Sequence, residues 1–482
     1  MFYKKKTGVL LPLSALHGPG PTGDLDGAPL FIEWLAAHGF SAWQVLPLSP
    51  PDMYGSPYSS WSSFAGYPAY VGLRWLENWG LLDPENSQPA EQWVDHDLTS
   101  GSKLQAVLKG AERLVHDKTH PLHEQMTSFQ HSSQWAVQAA MFCARKERNN
   151  GQHWWLWPEN ENYESRKKDL SLSEMIWLAA FFIFDVQYSE VKALAVNQGI
   201  EIIGDVPLYP AHDSADVWAN KELFQLAPDG QCINIAGVPP DDQFKLGQVW
   251  GNPLYQWSKH KQGDFAWWHQ RIERARQLYD RLRLDHFIGF SRYWSIPTNT
   301  GLIDSASGQW IEAPGKYLFA ELMKSTPPEQ FIAEDLGCLD DNTIALRDHY
   351  DLPGTKVAIF GFNNNDYKEN PHRLENLHHN SILYSSTHDT NTIKGWWEDL
   401  CDQDRTESGL GANSEAAYME LMTRIETSKA GLVIYQFQDL LGIGSEGRTN
   451  RPGTTTDNWR WRLSEDDLHN AERGVTLLRS LR

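Results

Sequence analysis

The sequence predicts an α/β fold: a (β/α)8 TIM barrel with inserted, mostly helical subdomains on the catalytic face and no C-terminal β-sandwich. Three observations predict it. Eight short runs dense in Val, Ile and Leu suit parallel strands buried on both faces. Helical patterns, with apolar residues three and four apart, lie between them. Acidic residues recur where the runs end, on the rim where barrels keep their chemistry. The 482 residues are read as one catalytic barrel domain, since insertions carry barrels well past the usual domain length of about 150 residues.

The elements follow in order. The first run, 8–13, comes after Lys4-Lys5-Lys6. A basic start and an apolar stretch imitate a secretory leader, but Pro12 breaks the stretch and no small-residue cleavage site follows cleanly. It is read as the first barrel strand, and the protein as cytoplasmic. A helix over 28–39 leads to the second strand, 42–48. The distance to the third strand, 200–207, exceeds any ordinary βα loop. An insertion of mainly helical character is therefore expected over approximately 49–187, including Ser133 to Lys146, before a helix over 188–199. A second insertion, 208–263, is read as a loop region on the acceptor side, with a lid. Helix 264–280 then precedes strand 281–287. Strands 331–337, 356–362, 382–389 and 432–440 complete the eight, alongside helices 315–325, 340–349 and 413–428.

Composition excludes several functions. A net charge of −20 disfavours binding to nucleic-acid phosphates, which needs clustered Lys and Arg. No run approaches the roughly 20 apolar residues of a membrane span. The four cysteines, Cys143, Cys232, Cys338 and Cys401, show no CxxC and no pairing pattern, as in a reducing compartment. They are read as buried thiols.

The rim acids carry the chemistry. In Arg283-Leu284-Asp285-His286-Phe287, residues 283 and 285 share a strand face. The guanidinium is expected to keep Asp285 ionised, ready to attack an anomeric carbon. Glu334, in Ala333-Glu334-Asp335-Leu336-Gly337, is expected to hold a proton through burial beside other carboxylates. Strand alternation turns Asp335 away. Asp389 closes Thr387-His388-Asp389, where it would grip sugar hydroxyls as positive charge develops. His388 and His286 would donate to the same sugar. Asp205, in Gly204-Asp205-Val206-Pro207, is a fourth acid on the rim. Each motif alone also reads as a buried ion pair or a helix cap; four strand ends bearing acids together point to a retaining glycosidase mechanism.

Aromatic residues form a second layer, because sugar rings pack on indole and phenol faces. Of 22 Trp, most belong to packing, but Tyr58 and Trp61 lie in the loop after the second strand and Trp250 lies in Gln248-Val249-Trp250-Gly251-Asn252-Pro253. Other motifs are set aside. Gly18-Pro-Gly-Pro-Thr-Gly23 matches a dinucleotide fingerprint formally, yet two prolines occupy its spacers and it is read as a turn. His120, His123, His378 and His379 lack the Cys or acidic companions of a metal site.

At these residues the chain resembles glycoside hydrolase family 77, the 4-α-glucanotransferases also called amylomaltases or disproportionating enzymes. The resemblance runs end to end. It is carried by Gln44-Val-Leu-Pro-Leu48, Ser56-Pro-Tyr58, Phe64-Ala-Gly66, Ala236-Gly-Val-Pro-Pro-Asp241, Trp250-Gly-Asn-Pro-Leu-Tyr255, Ala313-Pro-Gly315, Leu352-Pro-Gly354 and Gly444-Ser-Glu446. It implies Asp285 as nucleophile, Glu334 as acid/base and Asp389 as transition-state stabiliser. It further implies Tyr58, Asp205, Arg283 and His388 as donor-sugar contacts, Trp250 near the acceptor, and no metal or organic cofactor. Maltooligosaccharides and α-1,4-glucans would be donor and acceptor. The chain departs from the family's usual Tyr-Phe-Ser at Asp242-Gln243-Phe244, from Arg-Gly-Phe-Glu at Ile288-Gly-Phe-Ser291, and from Asn at Thr390. An altered acceptor preference is expected from these changes. The alternatives are an α-1,4-glucan hydrolase with the same acids and a wetter acceptor site, or a catalytically silent glucan-binding protein.

Overall fold

The computed structural model describes residues 5–84, 91–163, 169–241, 245–299, 303–362 and 369–481. In chain order its strands are β1 (Lys6–Leu10), β2 (Ala42–Gln44), β3 (Glu201–Val206), β4 (Asn234–Val238), β5 (Gln248–Pro253), β6 (Arg281–Leu284), β7 (Arg292–Pro297), β8 (Gln309–Glu312), β9 (Phe331–Ala333), β10 (Gly354–Val357), β11 (Ser381–Tyr384) and β12 (Leu432–Gln436). Eight of them close a parallel barrel in the order β1-β12-β11-β10-β9-β6-β3-β2. Each expected run supplies one, but the strands stop sooner than the runs. Asp285 and Glu334 therefore stand one residue beyond β6 and β9, on backbone free to turn into the mouth.

Alternation along the strands builds two cores. Leu10, Ile203, Ile332, Ile382, Leu432 and Ile434 meet in one buried cluster, while their neighbours Val9, Ile202, Leu383 and Val433 join the much larger layer between strands and helices. The first cluster fills the barrel, as close packing requires of an eight-stranded closure.

The β2–β3 connection carries the helical wall expected there, including the helices Leu104–His116 and Gln134–Arg148. Its last helix differs from expectation: it runs unbroken from Leu172 to Asn197, so the expected helix 188–199 is only its C-terminal part. The start is set by a capping box, in which Ser171 accepts from the Glu174 amide and the Glu174 carboxylate accepts from the Ser171 amide. A further tie is the buried ion pair between Lys103 of the wall and Asp24 of the loop after β1, both side chains at most 2 % exposed.

A second sheet was not legible in the sequence. Strands β5-β4-β7-β8 form a four-stranded antiparallel layer, drawing on the 208–263 insertion and also on the β6–β9 connection. Its strands mix polar with apolar residues, and Val249 and Gly251 of the edge strand β5 are exposed, so they lack the apolar density that marks the barrel strands. Asp242, Gln243 and Phe244, the altered lid residues, lie outside the described residues.

Cys143 and Cys232 are buried, but Cys338 and Cys401 are exposed, which corrects the reading of all four as buried thiols; both exposed ones sit in polar loop or cap positions. The Gly18–Gly23 segment is a turn, held by the Arg462 guanidinium, which donates to the carbonyls of Leu16, Gly18, Gly20 and Thr22. Among the described residues no helix is long and apolar enough to cross a membrane.

Removing one member of a buried ion pair strands the other charge, at about 3–5 kcal/mol. Lys103→Met is therefore expected to lower unfolding free energy by about that much, read as a lower urea midpoint. An unchanged midpoint would show that the tie between wall and barrel is dispensable.

Candidate active site

Barrel register sets the site. Leu284 of β6 pairs with Ala333 of β9, so the next residue on each, Asp285 and Glu334, stand side by side. Neighbouring strands lie about 4.8 Å apart, the order of the roughly 5 Å that separates the carboxyls of a retaining pair. The backbone locks this arrangement: the Asp285 amide donates to Val206 O at 3.1 Å and the Glu334 amide to Leu284 O at 3.1 Å.

His286 completes the lock. Its φ of +52° lies in the left-handed region, uncommon for a residue with a Cβ and characteristic of functional sites. The turn aims its backbone N–H at Glu334 Oε2, 2.7 Å away, while the Leu336 amide donates to Oε1 at 3.2 Å. Asp335 faces away from this mouth, accepting from the Thr355 amide at 2.7 Å and pairing with Arg347 and Lys356.

On the other flank, β3 pairs Asp205 with Arg283 of β6. A Cβ at Gly204 would strike the ring of Tyr279, so this strand admits a large neighbour just before its acid. Arg283 Nη1 reaches Asp205 Oδ2 at 2.6 Å and Asp285 Oδ1 at 3.1 Å. Tyr58 donates its hydroxyl to Asp205 Oδ2 at 2.8 Å and lies 3.0 Å from His388 Nε2, which is also 3.2 Å from Asp389 Oδ2. Tyr58 has one proton, given to Asp205. Nε2 of His388 must then carry a hydrogen, offered to Tyr58 and Asp389.

Charge is distributed unequally over the three acids. Burial lifts Glu334 to about 8; Arg283 opposes this and Asp285 adds to it. Burial also lifts Asp285, to about 6, against Arg283 and with Asp205 and Asp389. The guanidinium expected to keep Asp285 ionised sits closer to Asp205, so its field is shared, and burial outweighs it. Burial acts to raise Asp389 too, but nearly half of that side chain faces the cleft; His388 and Asn450 outweigh it and hold the carboxyl down to about 2. Burial lowers His286 to about 4, so its imidazole is neutral at pH 7. The pair beside one strand pairing is therefore poised as one acid and one base.

The aromatic candidates part company. Tyr58 stacks on His388 at 5.3 Å. Trp250 stands edge-on to His286 at 4.7 Å, bringing it to the Glu334 flank; the two histidines thus belong to different ends of the site. Trp61 turns instead into the helical wall, edge-on to Trp177 at 5.9 Å. Sequence reasoning missed Asn450 and Trp459. Asn450 Nδ2 donates to Asp389 Oδ1 at 2.7 Å, and its amide to His388 O at 2.9 Å. Trp459, with φ of +63°, lies 6.0 Å from Tyr58 and 5.9 Å from His388. Both come from the loop after β12, where no periodicity or acidic motif draws the eye. His120 and His123 contact the backbone carbonyls of Trp79 and Leu114, and among the described residues no group of three or more His, Cys, Asp or Glu is arranged to hold a metal ion.

The sequence profile of the family described as 4-alpha-glucanotransferase matches residues 11–468. The chain is 38 % identical over 479 residues to the 4-alpha-glucanotransferase of Aquifex aeolicus, covering 95 % of each. It is 36 % identical to that of Thermus thermophilus, covering 98 % of this chain and 97 % of the relative. An amylomaltase from Streptococcus agalactiae, solved in complex with acarbose, superposes with a TM-score of 0.92 at 30 % identity, covering 99 % of this chain and 98 % of that one. These names do not favour the hydrolase alternative.

Asn450 supplies a side-chain N–H to the ionised form of Asp389, and such a bond lowers a carboxyl pKa. Asn450→Ala is expected to raise the Asp389 pKa toward the ordinary carboxylate range, as read by a carboxyl carbon NMR titration. A midpoint still near 2 would assign the depression to His388 and Arg283.

Proposed function

Because the chain belongs to the 4-alpha-glucanotransferase family, glycoside hydrolase family 77, we propose that its α-1,4-glucan transfer runs through the rim acids Asp285, Glu334 and Asp389. The observation that carries this assignment is the split between Glu334, lifted to about 8, and Asp389, held near 2, around a nucleophile bonded to Arg283. Asp285 attacks the anomeric carbon of the donor while Glu334 gives its proton to the departing O4, leaving a covalent glycosyl ester and free acceptor-side glucan or glucose. Glu334, now ionised, takes the proton of an incoming 4-hydroxyl, which displaces Asp285. Two inversions retain the α-configuration.

The other residues divide the binding work. Asp389 accepts hydrogen bonds from hydroxyls of the donor sugar, and these strengthen as positive charge spreads over the ring. Tyr58, Asp205, Arg283 and His388 hold the sugar at the reacting position. His286 and Trp250 flank the side where the acceptor arrives, the indole offering a flat face to a glucose ring. Maltooligosaccharides serve as both donor and acceptor, in the cytoplasm. Sugar rather than water captures the ester when the bound acceptor covers the half-open cleft.

The deciding experiment incubates the purified protein with maltotriose alone. A ladder extending above the trisaccharide, with glucose released and no net gain of reducing ends, supports this mechanism; short products with rising reducing ends would sink it in favour of hydrolysis. Asp285→Asn and Glu334→Gln are expected to fold normally and lose at least about a thousandfold in turnover. Near-normal activity in either would refute its role.

The pH dependence follows from the same pair. Asp285 must be ionised, so activity rises with pH through its pKa near 6; Glu334 must be protonated, so activity falls as pH rises through its pKa near 8. A bell-shaped kcat/KM profile with limbs near those values is expected for the pair. In Glu334→Gln the alkaline limb should vanish, and its persistence would assign that limb to another group.

A further inference from the structure

His388 and Asp389 ride on a loop, Ser385 to Thr392, between β11 and the helix that begins at Ile393. Both of its feet rest on one carboxyl. The hydroxyls of Ser385 and Ser386 lie 2.6 Å from Asp439 Oδ2, and the Ile393 amide donates to Asp439 Oδ1 at 2.8 Å. Asp439 is 1 % exposed, in the helix Phe437–Leu441 that leaves β12. Among the described residues no Lys, Arg or His pairs with it.

That arrangement is costly. A buried carboxyl without a cation loses its hydration and recovers only what its hydrogen bonds return, and an apolar side chain would pack there at no such cost. The bonds it makes are directed at a single object, the loop between its two oxygens. Register strengthens the case: the Ser385 amide donates to Ile434 O on β12, and the Gln436 amide donates back to Ser385 Oγ at 3.0 Å. The segment from Gln436 to Asn450 thus grips the loop twice, at its feet through Asp439 and at its tip through Asn450, whose side chain holds Asp389 Oδ1.

We propose that Asp439 is a positioning residue for transglycosylation, which fixes both ends of the Ser385–Thr392 loop, the far end through the Ile393 amide, and so sets Asp389 and His388 against the donor sugar. The proposal rests on the role given above to Asp389. It assigns Asp439 no contact with substrate: the carboxyl acts only through the loop.

The test is steady-state kinetics with maltotriose on the full chain. Misplacing a catalytic group by about 1 Å costs on the order of a hundredfold, so Asp439→Ala is expected to lose about that factor in kcat with KM changed far less. Asp439→Asn, which still offers an acceptor to Ile393 and an amide to the serines, is expected to recover most of the loss. A purely structural role would lower stability without this split. Double-mutant cycles add the second readout: Asp439→Ala and Asn450→Ala, both acting through Asp389, should combine less than additively, whereas Asp439→Ala and Trp250→Ala should combine additively. Should Asp439→Ala fail to fold, the same cycles with Ser386→Ala decide. Wild-type kcat in Asp439→Ala, or additivity in both cycles, overturns the proposal while an inactive Asp389→Asn leaves the reading of the site standing. Full activity of Asp389→Asn overturns both.

Discussion

One guanidinium carries the site. Arg283 lies between Asp205, its nearer partner, and Asp285, and without it two carboxylates would face each other in a largely dehydrated rim. Such a pair cannot both ionise cheaply. The cation lets Asp205 remain buried on β3, where it orients Tyr58, and through Tyr58 the tautomer of His388. The same charge tempers Asp285 and Glu334 at once. Both contacts come from one nitrogen, Nη1, so a single charge serves acids at the ends of two strands.

Burial and register together explain why three similar carboxyls behave differently. Glu334 is enclosed between β6 and β9 and receives two backbone amides, yet burial still lifts it. Asp389 faces the cleft and gains a histidine and an amide side chain. Asp285 stands between them in both geometry and titration. The left-handed turn at His286 is what brings an amide onto Glu334, so backbone strain at one residue contributes directly to the orientation of the acid.

The barrel was legible because its strands are apolar on both faces and its acids end them; eight runs are enough to predict closure, and their ends predict a rim. What lay beyond that reading has identifiable causes. The antiparallel sheet built on β4, β5, β7 and β8 has strands of mixed polarity with an exposed edge, and two of them come from a different connection. The sharing of Arg283 depends on the pairing of β3 with β6, which no local motif reports. Asn450, Trp459 and Arg462 sit in irregular, polar sequence after β12, and their value arises only from what they touch across the barrel. Trp61 and Tyr58 are three residues apart in one loop, yet one joins the helical wall and the other the site; composition alone does not separate them.

The loop after β12 reaches back across the whole chain. Arg462 staples the turn that follows β1, Asn450 grips Asp389, and Trp459 backs Tyr58, while β12 itself is the strand that joins β11 to β1. On the ribosome, a chain that has emerged only through Glu334 therefore has two of the rim acids but neither a closed barrel nor Asp389 with its brace. The assembled rim therefore arrives late in synthesis, only once β12 and the loop beyond it are in place.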